Sequence, residues 1–316
     1  HSGSLPRILE ICPNAKIYSS VAGVQGLKEH YKKDWNFTPV KTGDTLSLGK
    51  KTVKFFETKM VHWPDNMVSY LEEDQFLFSN DAFGQHISST ERTDSEFQFD
   101  ITLKEAKKYY ANIVLPFGSQ VQKAMQALSG LDFKIIAPSH GIIWKKHIND
   151  ILKSYTEWMM NETKEKALVI YDTMWNSTEK IALSLVDYFE SQKISVKLFN
   201  LQASHMSDIM TEIIDAKYIC IGSPTLNNNL LPTVSAFLTY MKGLAPKNRI
   251  GLAFGSYGWG GQSVGQIEDT FKELGFKVLP QIRLKFVPDK KDIDLNIEKL
   301  QNELKFINKG ELNGII

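Results

Sequence analysis

The stretch ALVIYDTMWNSTEKIALSLVDYFESQ, residues 167–192, contains a complete strand, loop and helix. Its opening residues are apolar without alternation, which is typical of a strand buried on both faces of a sheet. A loop rich in hydroxyl and amide groups follows, and apolar residues then recur at helical spacing from Ser177. A strand that leads directly into a helix favours a parallel sheet, because parallel neighbours need a crossover connection.

The same alternation continues to the end of the chain. Further strands are predicted at SVKLFNL (195–201), YICIGS (218–223), RIGLAFGS (249–256) and FKVLPQIRLKF (276–286). Helices are predicted at SDIMTEIIDA (207–216), LPTVSAFLTYMKGLA (231–245) and DLNIEKLQNELKFIN (294–308). Five strands separated by helices in about 150 residues fit an α/β fold of the flavodoxin-like type, a doubly wound parallel five-stranded sheet.

The first half of the chain has a different pattern. Short β-type runs follow one another at TLSLG (45–49), KTVKFFETKMV (51–61), NMVSYLEE (66–73) and QFLFSND (75–81). A helical stretch from Lys104 to Ser129, a buried strand in FKIIAPSHG (133–141) and a helical segment, DILKSYTEWMMNETKEK (150–166), come next. This mixture predicts a layered domain with mostly antiparallel strands. We place the domain boundary in the last segment, which gives domains 1–162 and 163–316.

Composition narrows the functional classes. The chain of 316 residues is 42% hydrophobic and 23% charged with a net charge of +1, so no basic field favours nucleic acid. No apolar run is long enough to span a bilayer, and we expect no membrane association. The two cysteines, Cys12 and Cys220, are far apart and lack metal-type spacing, so we expect no disulfide framework and a cytoplasmic location.

Three loops at the predicted strand ends have the chemistry of a ligand site. They are TMWNST (173–178), GSPTLNNNLLP (222–232) and GSYGWGG (255–261). Hydroxyl groups and the backbone N–H groups of a helix start can bind a phosphate without a cationic side chain. Glycines beside Tyr257 and Trp259 let a planar ring approach and stack. An aromatic residue packed on its own domain is the alternative for Trp259.

These loops resemble the phosphate loop and the two ring-contacting loops of flavodoxins, most closely those of the flavodoxin module in flavodiiron proteins. The resemblance implies that the second domain binds FMN. It implies that the phosphate is bound by Thr173, Met174, Trp175, Asn176, Ser177 and Thr178. It implies that the ring is contacted by Ser223, Pro224, Thr225, Leu226, Asn227, Asn228, Ser256, Tyr257, Gly258, Trp259, Gly260 and Gly261.

Three stretches of the first half offer metal ligands directly after predicted strands. They are MVHWPDN with His62, FLFSNDAFG with Asp81 and IIAPSHGIIW with His140. Ligands delivered from separate strand ends suit a site across the lip of a sheet. Imidazole and carboxylate ligands without thiolate favour iron, manganese or zinc over copper. Among the other histidines, only His86 is close enough to Asp81 in sequence to be a further candidate.

The same stretches resemble the metallo-β-lactamase-like domain, an αββα fold, that precedes flavodoxin in flavodiiron proteins. That family holds its metals with a motif H-x-E-x-D-H, a lone His, a bridging Asp and a final His. His62, Asp81 and His140 match the last three ligands. The opening HSGSLP resembles the end of the first motif, which makes His1 the fourth ligand, and a remnant of a purification tag is the alternative.

The resemblance implies two iron ions bridged by Asp81, one bound by His62 and the other by His1 and His140. The family's leading His, Glu and Asp ligands lie outside this sequence. We therefore expect the domain to be N-terminally incomplete here. The sequence leaves two sources for the missing ligands, a separate chain or a longer form of the same protein.

A flavin combined with a carboxylate-bridged metal pair implies redox chemistry. The resemblance predicts an oxidoreductase in which FMN passes electrons to a non-haem diiron site that reduces O2 to water, NO to N2O, or both. It also implies a head-to-tail homodimer and a separate electron donor, rubredoxin or a similar carrier. Two alternatives stay open: a zinc hydrolase of the metallo-β-lactamase fold, and an FMN-binding electron-transfer fragment without a working metal site.

Overall fold

The computed structural model describes residues 2–312, with side chains described through residue 307. The chain divides into two compact units, and the division falls between Met160 and Asn161. The domain boundary that we predict after residue 162 lies beside this division. Within the described residues, no helix is both long enough and apolar enough to cross a lipid bilayer.

The first unit contains a mixed five-stranded sheet and a separate pair of short parallel strands. Its strands are β1 (Ile17–Ser19), β2 (Phe37–Pro39), β3 (Thr45–Ser47), β4 (Thr52–Glu57), β5 (Met67–Leu71), β6 (Phe76–Asn80) and β7 (Ile135–Pro138). Its helices are α1 (Leu5–Ile11), α2 (Val21–Tyr31), α3 (Phe99–Tyr109), α4 (Gly118–Leu128) and α5 (Ile148–Met159).

The direction of the strands in the five-stranded sheet decides where the loops meet. The order is β3-β4-β5-β6-β7, with antiparallel pairs from β3 to β6 and a parallel pair between β6 and β7. Strands β4, β6 and β7 therefore run in the same direction. Because their carboxyl ends share one edge of the sheet, the residues that follow them are brought together there.

Three predictions for this unit need correction. The strand predicted to run through Val61 ends at Glu57, because residues 58–66 form a loop whose polar groups bond to each other. The helix predicted from Lys104 to Ser129 begins earlier, at Phe99, and is interrupted by a π-helical turn and a 3-10 turn at Pro116, which lacks an N–H group. The helical segment predicted through residue 166 ends at Met159, and a strand has begun by Lys164.

The second unit is a parallel sheet with helices on both faces. Its strands are β8 (Lys164–Tyr171), β9 (Ser195–Asn200), β10 (Ala216–Gly222), β11 (Ile250–Tyr257), β12 (Lys277–Val278) and β13 (Ile282–Lys285). Its helices are α6 (Ser177–Ser191), α7 (Met206–Ile213), α8 (Pro232–Leu244), α9 (Gln262–Glu273) and α10 (Lys290–Leu312).

The strand order β12-β11-β10-β8-β9, in which the first two strands along the chain exchange places, is the flavodoxin order. The predicted doubly wound fold is therefore confirmed. The predicted fifth strand is split into β12 and β13, which both pair with β11, because Pro280 between them cannot donate a hydrogen bond. Helix α9 was not among the predicted elements.

Strand β8 lies between β10 and β9 and is buried on both faces. Ala167, Val169 and Tyr171 belong to the core cluster that includes residues of α6 and α10, and Leu168 and Ile170, which alternate with them, are equally buried. Burial on both faces explains why the sequence of this strand is apolar without alternation.

A buried arginine supports the opposite end of the sheet. Arg249, just before β11, is buried and donates hydrogen bonds to four backbone carbonyls, those of Asn161, Ile213, Ile214 and Lys247. Burial lowers the pKa of Arg249 to about 10, and the carboxylate of Asp215 acts in the opposite direction. The guanidinium group therefore satisfies loop carbonyls that would otherwise be buried without donors.

We expect Arg249→Met to reduce the free energy of unfolding by about 3 kcal/mol, since several buried carbonyls lose their donors. Urea unfolding followed by circular dichroism measures this loss. Arg283→Met is the matched control, because Arg283 is exposed and its described side-chain hydrogen bond reaches only Gln281. Equal stability of the two variants would contradict the role that we give to Arg249.

Candidate metal and flavin sites

Three of the predicted metal ligands meet at the shared edge of the first unit's sheet. Asp81 directly follows β6, His140 follows β7 after one residue, and His62 lies in the loop after β4. Nε2 of His62 is 3.4 Å from Oδ2 of Asp81, and Nε2 of His140 is 3.4 Å from Oδ1. The two imidazoles thus approach opposite oxygens of one carboxylate, which is the arrangement of a carboxylate that bridges two ions.

Among the side chains described, residues 2–307, no group of three or more His, Cys, Asp or Glu residues is arranged so that it could hold a metal ion. His62 and His140 lie at different oxygens of Asp81, so the three donors do not converge on one point. Each ion position would need further ligands. His1, the fourth predicted ligand, lies outside the described residues.

Asp81 is the most buried of the three donors. Its side chain is buried, whereas the imidazoles of His62 and His140 are partly exposed. Burial raises the pKa of Asp81, and the two neighbouring imidazoles act in the opposite direction. A buried carboxylate between two imidazoles is a hard, anionic donor set that contains no thiolate, and it fits iron, manganese or zinc.

A series of side-chain hydrogen bonds joins the three loops that contain the predicted ligands. The Asn66 side chain donates to the Val61 carbonyl, the Asn80 side chain donates to Oδ1 of Asn66, and the Ser139 hydroxyl donates to Oδ1 of Asn80 over 3.2 Å. Because each of the four residues belongs to a ligand-bearing loop or borders one, this series fixes the spacing of the loops.

Gln85 makes a second link between the Asp81 and His140 loops. Its fully buried amide donates to the carbonyls of Phe83 and Ile142 over 2.9 and 3.2 Å and accepts from the Ile142 N–H over 2.6 Å. Its backbone N–H donates to the His140 carbonyl over 3.2 Å. Neither Gln85 nor Asn66 is predictable from the sequence, since an isolated amide side chain carries no spacing pattern that indicates such bonds.

His86, the further candidate, is not bonded to Asp81 in any described contact. Its exposed ring lies edge-on to those of His140 and Tyr109, with centroids 5.7 and 5.0 Å away. His86 therefore packs its ring against the ring of His140, one of the predicted ligands.

In the second unit, the loop TMWNST, residues 173–178, follows β8 and is called the phosphate-type loop. Asn176 has a left-handed backbone conformation with a φ of 62° and precedes α6, and its side chain makes no capping hydrogen bond. The first N–H groups of a helix have no partners inside the helix, so those of α6 are available to an anion. Oγ1 of Thr173 is buried and has no hydrogen-bond partner, which marks a place where a ligand oxygen would be accommodated.

The loop after β10 is a tight turn held by its own groups. Leu226 and Asn229 exchange backbone hydrogen bonds, and Asn227 and Asn228 between them have φ values of 49° and 59°. Gln266 of α9 bonds to Leu230 and to the Asn229 side chain, which fixes this turn from outside.

Three hydroxyl groups in these two loops, those of Thr178, Ser223 and Thr225, have hydrogen-bond partners within the unit. Oγ of Ser223 donates to the Pro224 carbonyl and accepts from the Leu231 N–H, so this predicted ligand residue is engaged within its own loop. Oγ1 of Thr225 is 2.9 Å from Oγ of Ser263, a residue of α9 that the sequence analysis did not predict. The Thr178 and Ser256 hydroxyls are 3.1 Å apart and join the phosphate-type loop to β11.

The third loop approaches the others closely. A Cβ atom on Gly255 would lie 2.1 Å from the Ser223 carbonyl oxygen, so only glycine fits there. Trp175 of the first loop and Trp259 of the third are 85% and 82% exposed. The alternative that Trp259 packs on its own domain is therefore wrong. Two exposed indoles, backbone donors and an unpartnered hydroxyl at one sheet edge fit a planar heterocycle with a phosphate.

Comparison with known proteins agrees with both halves of this description. The family model for flavodoxin matches residues 169–299, and the model for the ODP family beta lactamase matches residues 2–141. A nitric oxide reductase from Moorella thermoacetica is 43% identical over 298 residues, which cover 93% of this chain and 75% of the relative.

Solved structures match as well. Rubredoxin oxygen:oxidoreductase from Desulfovibrio gigas has a TM-score of 0.93 at 40% identity, covering 95% of this chain and 77% of that one. The flavodiiron protein from Giardia intestinalis has a TM-score of 0.91 at 29% identity, covering 95% and 75%. The chain belongs to the flavodiiron protein family.

This membership confirms the predicted fold, a metallo-β-lactamase-like domain followed by a flavodoxin-like domain. As a flavodiiron protein the chain is an oxidoreductase, with FMN and a non-haem diiron pair as the cofactors of the family. The donor set at Asp81 and the loop edge of the flavodoxin-like sheet both fit these groups in chemical type.

We expect Gln85→Met to lower the free energy of unfolding by about 2–3 kcal/mol, because the variant keeps the side-chain length but leaves buried backbone groups without partners. Urea unfolding followed by tryptophan fluorescence measures the change. Gln126→Met is the control, since Gln126 is exposed on α4. If both variants unfold at the wild-type urea concentration, Gln85 does not hold the two loops together.

Proposed function

We propose that this chain is the catalytic part of an oxidoreductase that reduces O2 to water, NO to N2O, or both, at a diiron site supplied with electrons by FMN. The observation that carries the proposal is the Asp81 carboxylate with one imidazole near each oxygen. The second unit of the same chain has the strand order of a flavodoxin. When bound, FMN supplies paired electrons and the iron pair supplies open coordination positions.

The residues of the first unit have defined tasks in this proposal. Asp81 would be the ligand shared by both ions, His62 would bind one of them, and His140 would bind the other, with His1 as a further ligand of that second ion. The opposite oxygens that His62 and His140 approach support this division. The asparagine and glutamine links hold the three loops at a fixed spacing, so the carboxylate and imidazoles need little rearrangement to bind ions.

The residues of the second unit bind the flavin. Thr173 and the first N–H groups of α6 bind its phosphate. The turn at Asn227 and Asn228 and the segment from Tyr257 to Gly261 contact the ring, where Trp259 offers an aromatic face.

The proposal includes the assignment of the two domains and the cellular location. We assign residues 1–162 to the diiron domain and residues 163–316 to the FMN domain, supported by the division beside Met160 and by the spans of the two family models. A cytoplasmic location is part of the proposal, and its support is the absence of a disulfide between Cys12 and Cys220, which are both free.

The partners are also proposals. A rubredoxin or similar carrier donates the electrons, supported by the name of the Desulfovibrio gigas relative. A head-to-tail homodimer pairs the flavin of one subunit with the metals of the next, as the family resemblance implies. A separate chain that carries the family's leading His, Glu and Asp ligands is a further proposed partner.

An FMN-binding electron-transfer fragment is the second candidate function. The observation that favours it is that His62, Asp81 and His140 do not by themselves form a three-ligand ion site among the described side chains. A zinc hydrolase is the third candidate, since the donor set at Asp81 also suits zinc.

Metal and flavin analysis of the purified protein separates these functions. The proposed reductase contains FMN and iron, with about two iron ions per flavin. The electron-transfer fragment contains FMN with little iron, and the hydrolase contains zinc without flavin. Mass spectrometry of the same sample identifies any accompanying peptide that carries the remaining ligands. A preparation without flavin would reject the leading proposal.

We expect His62→Asn and His140→Asn to remove bound iron and abolish reduction of O2 and NO while leaving FMN content unchanged, because the substitutions affect only the first unit. Iron analysis, flavin absorbance and O2 consumption by the reduced protein test this. His30→Asn is the control, since His30 is exposed and outside the ligand loops. Continued turnover in both ligand variants would show that the metal assignment is wrong.

A further inference from the structure

Asp172 is a buried carboxylate at the base of the phosphate-type loop. It directly follows β8, is 2% exposed and has three hydrogen-bond donors. The Thr173 N–H and Nε2 of Gln202 each donate to Oδ1 over 2.6 Å, and the Thr233 hydroxyl donates to Oδ2. Burying a carboxylate is unfavourable in the absence of such donors, so the three donors account for its burial.

The three donors come from three different loops. Thr173 follows β8, Gln202 follows β9, and Thr233 lies in the first turn of α8, which follows β10. No described lysine, arginine or histidine forms an ion pair with Asp172, and its described partners are hydrogen-bond donors. The carboxylate therefore joins the loops at the edge of the sheet where ligands bind in this fold.

Thr173 is held on both sides of its backbone. Its N–H is bonded to Asp172, and its carbonyl accepts from Nε2 of Gln202 over 3.3 Å. These two bonds fix the orientation of the residue and leave its buried Oγ1 as the group without a partner. The Thr173 N–H donates to the carboxylate of Asp172, and the Thr173 hydroxyl has no partner. The hydroxyl is therefore available to a second anionic group.

We propose that Asp172 and Gln202 form a clamp that orients the Thr173 hydroxyl toward the phosphate of FMN. Asp172 is a positioning residue, since it acts on the phosphate through Thr173. This inference rests on the proposed binding of FMN to the second unit. The clamp explains why the Thr173 N–H is bonded to Asp172 and not left free for a ligand. It also explains why a carboxylate is buried close to the proposed site of the FMN phosphate.

Comparing FMN with riboflavin, which lacks the phosphate, tests the clamp. Dissociation constants of both flavins are measured with the flavin-free chain of 316 residues by quenching of flavin fluorescence. Thr173→Val removes the donor, and we expect the preference for FMN over riboflavin to fall about tenfold or more, the loss for one hydrogen bond to a charged group. Asp172→Ala lowers the preference by a similar factor, with riboflavin binding unchanged.

The double variant Asp172→Ala/Thr173→Val gives the decisive comparison. Because Asp172 acts through Thr173, the double variant has the same flavin preference as Thr173→Val alone. Asp172→Asn restores the preference, since its carbonyl oxygen still accepts from the Thr173 N–H and from Gln202. Gln202→Ala, at an exposed residue, lowers the preference even if Asp172→Ala fails to fold. Asp187→Ala, on the exposed face of α6, is the matched control and binds both flavins like wild type.

Three results would overturn the clamp: an unchanged preference in Asp172→Ala and Gln202→Ala, equal losses for both flavins, or additive losses in the double variant. A wild-type protein that binds both flavins equally well would also overturn it, while leaving FMN binding in place. A wild-type protein that binds neither flavin rejects the proposed function itself.

Discussion

The carboxylate of Asp81, buried between two imidazoles, is the constraint on which the first unit depends. A charge in that position is stable only when donors or cations surround it. The surrounding structure meets this requirement. Three strands end at one edge, and two sets of hydrogen bonds from amide side chains join the loops that follow them. The amide groups carry no charge, so they hold the loops without competing for the ions that imidazoles and a carboxylate attract.

The second unit meets a comparable requirement with different means. Its sheet is parallel throughout, so every strand delivers its following loop to the same edge. The loops are joined there by hydroxyl pairs, by Asp172 and by the close approach at Gly255. A rigid edge of this kind reduces the ordering cost of binding a flat, charged cofactor.

The sequence was most informative where burial imposes a simple pattern. Apolar runs predicted β8, β10 and β11 and with them the flavodoxin order. Pro116 and Pro280 were available as signals for the broken helix and the split strand, and Val264, Ile267 and Phe271 have the helical spacing of α9. The links through Asn66, Gln85 and Asp172 were beyond prediction, because their partners lie in loops distant in sequence and a single polar residue has no period.

The split outer strand has a consequence for the behaviour of the chain in concentrated solution. The edge beside β11 consists of segments of two and four residues, separated by residues 279–281 with Pro280 at the centre. A long, continuous edge would be a template on which a strand from another molecule could pair and begin to aggregate. The interruption leaves too few consecutive free backbone groups for such pairing, so this edge of the sheet is protected although it is open.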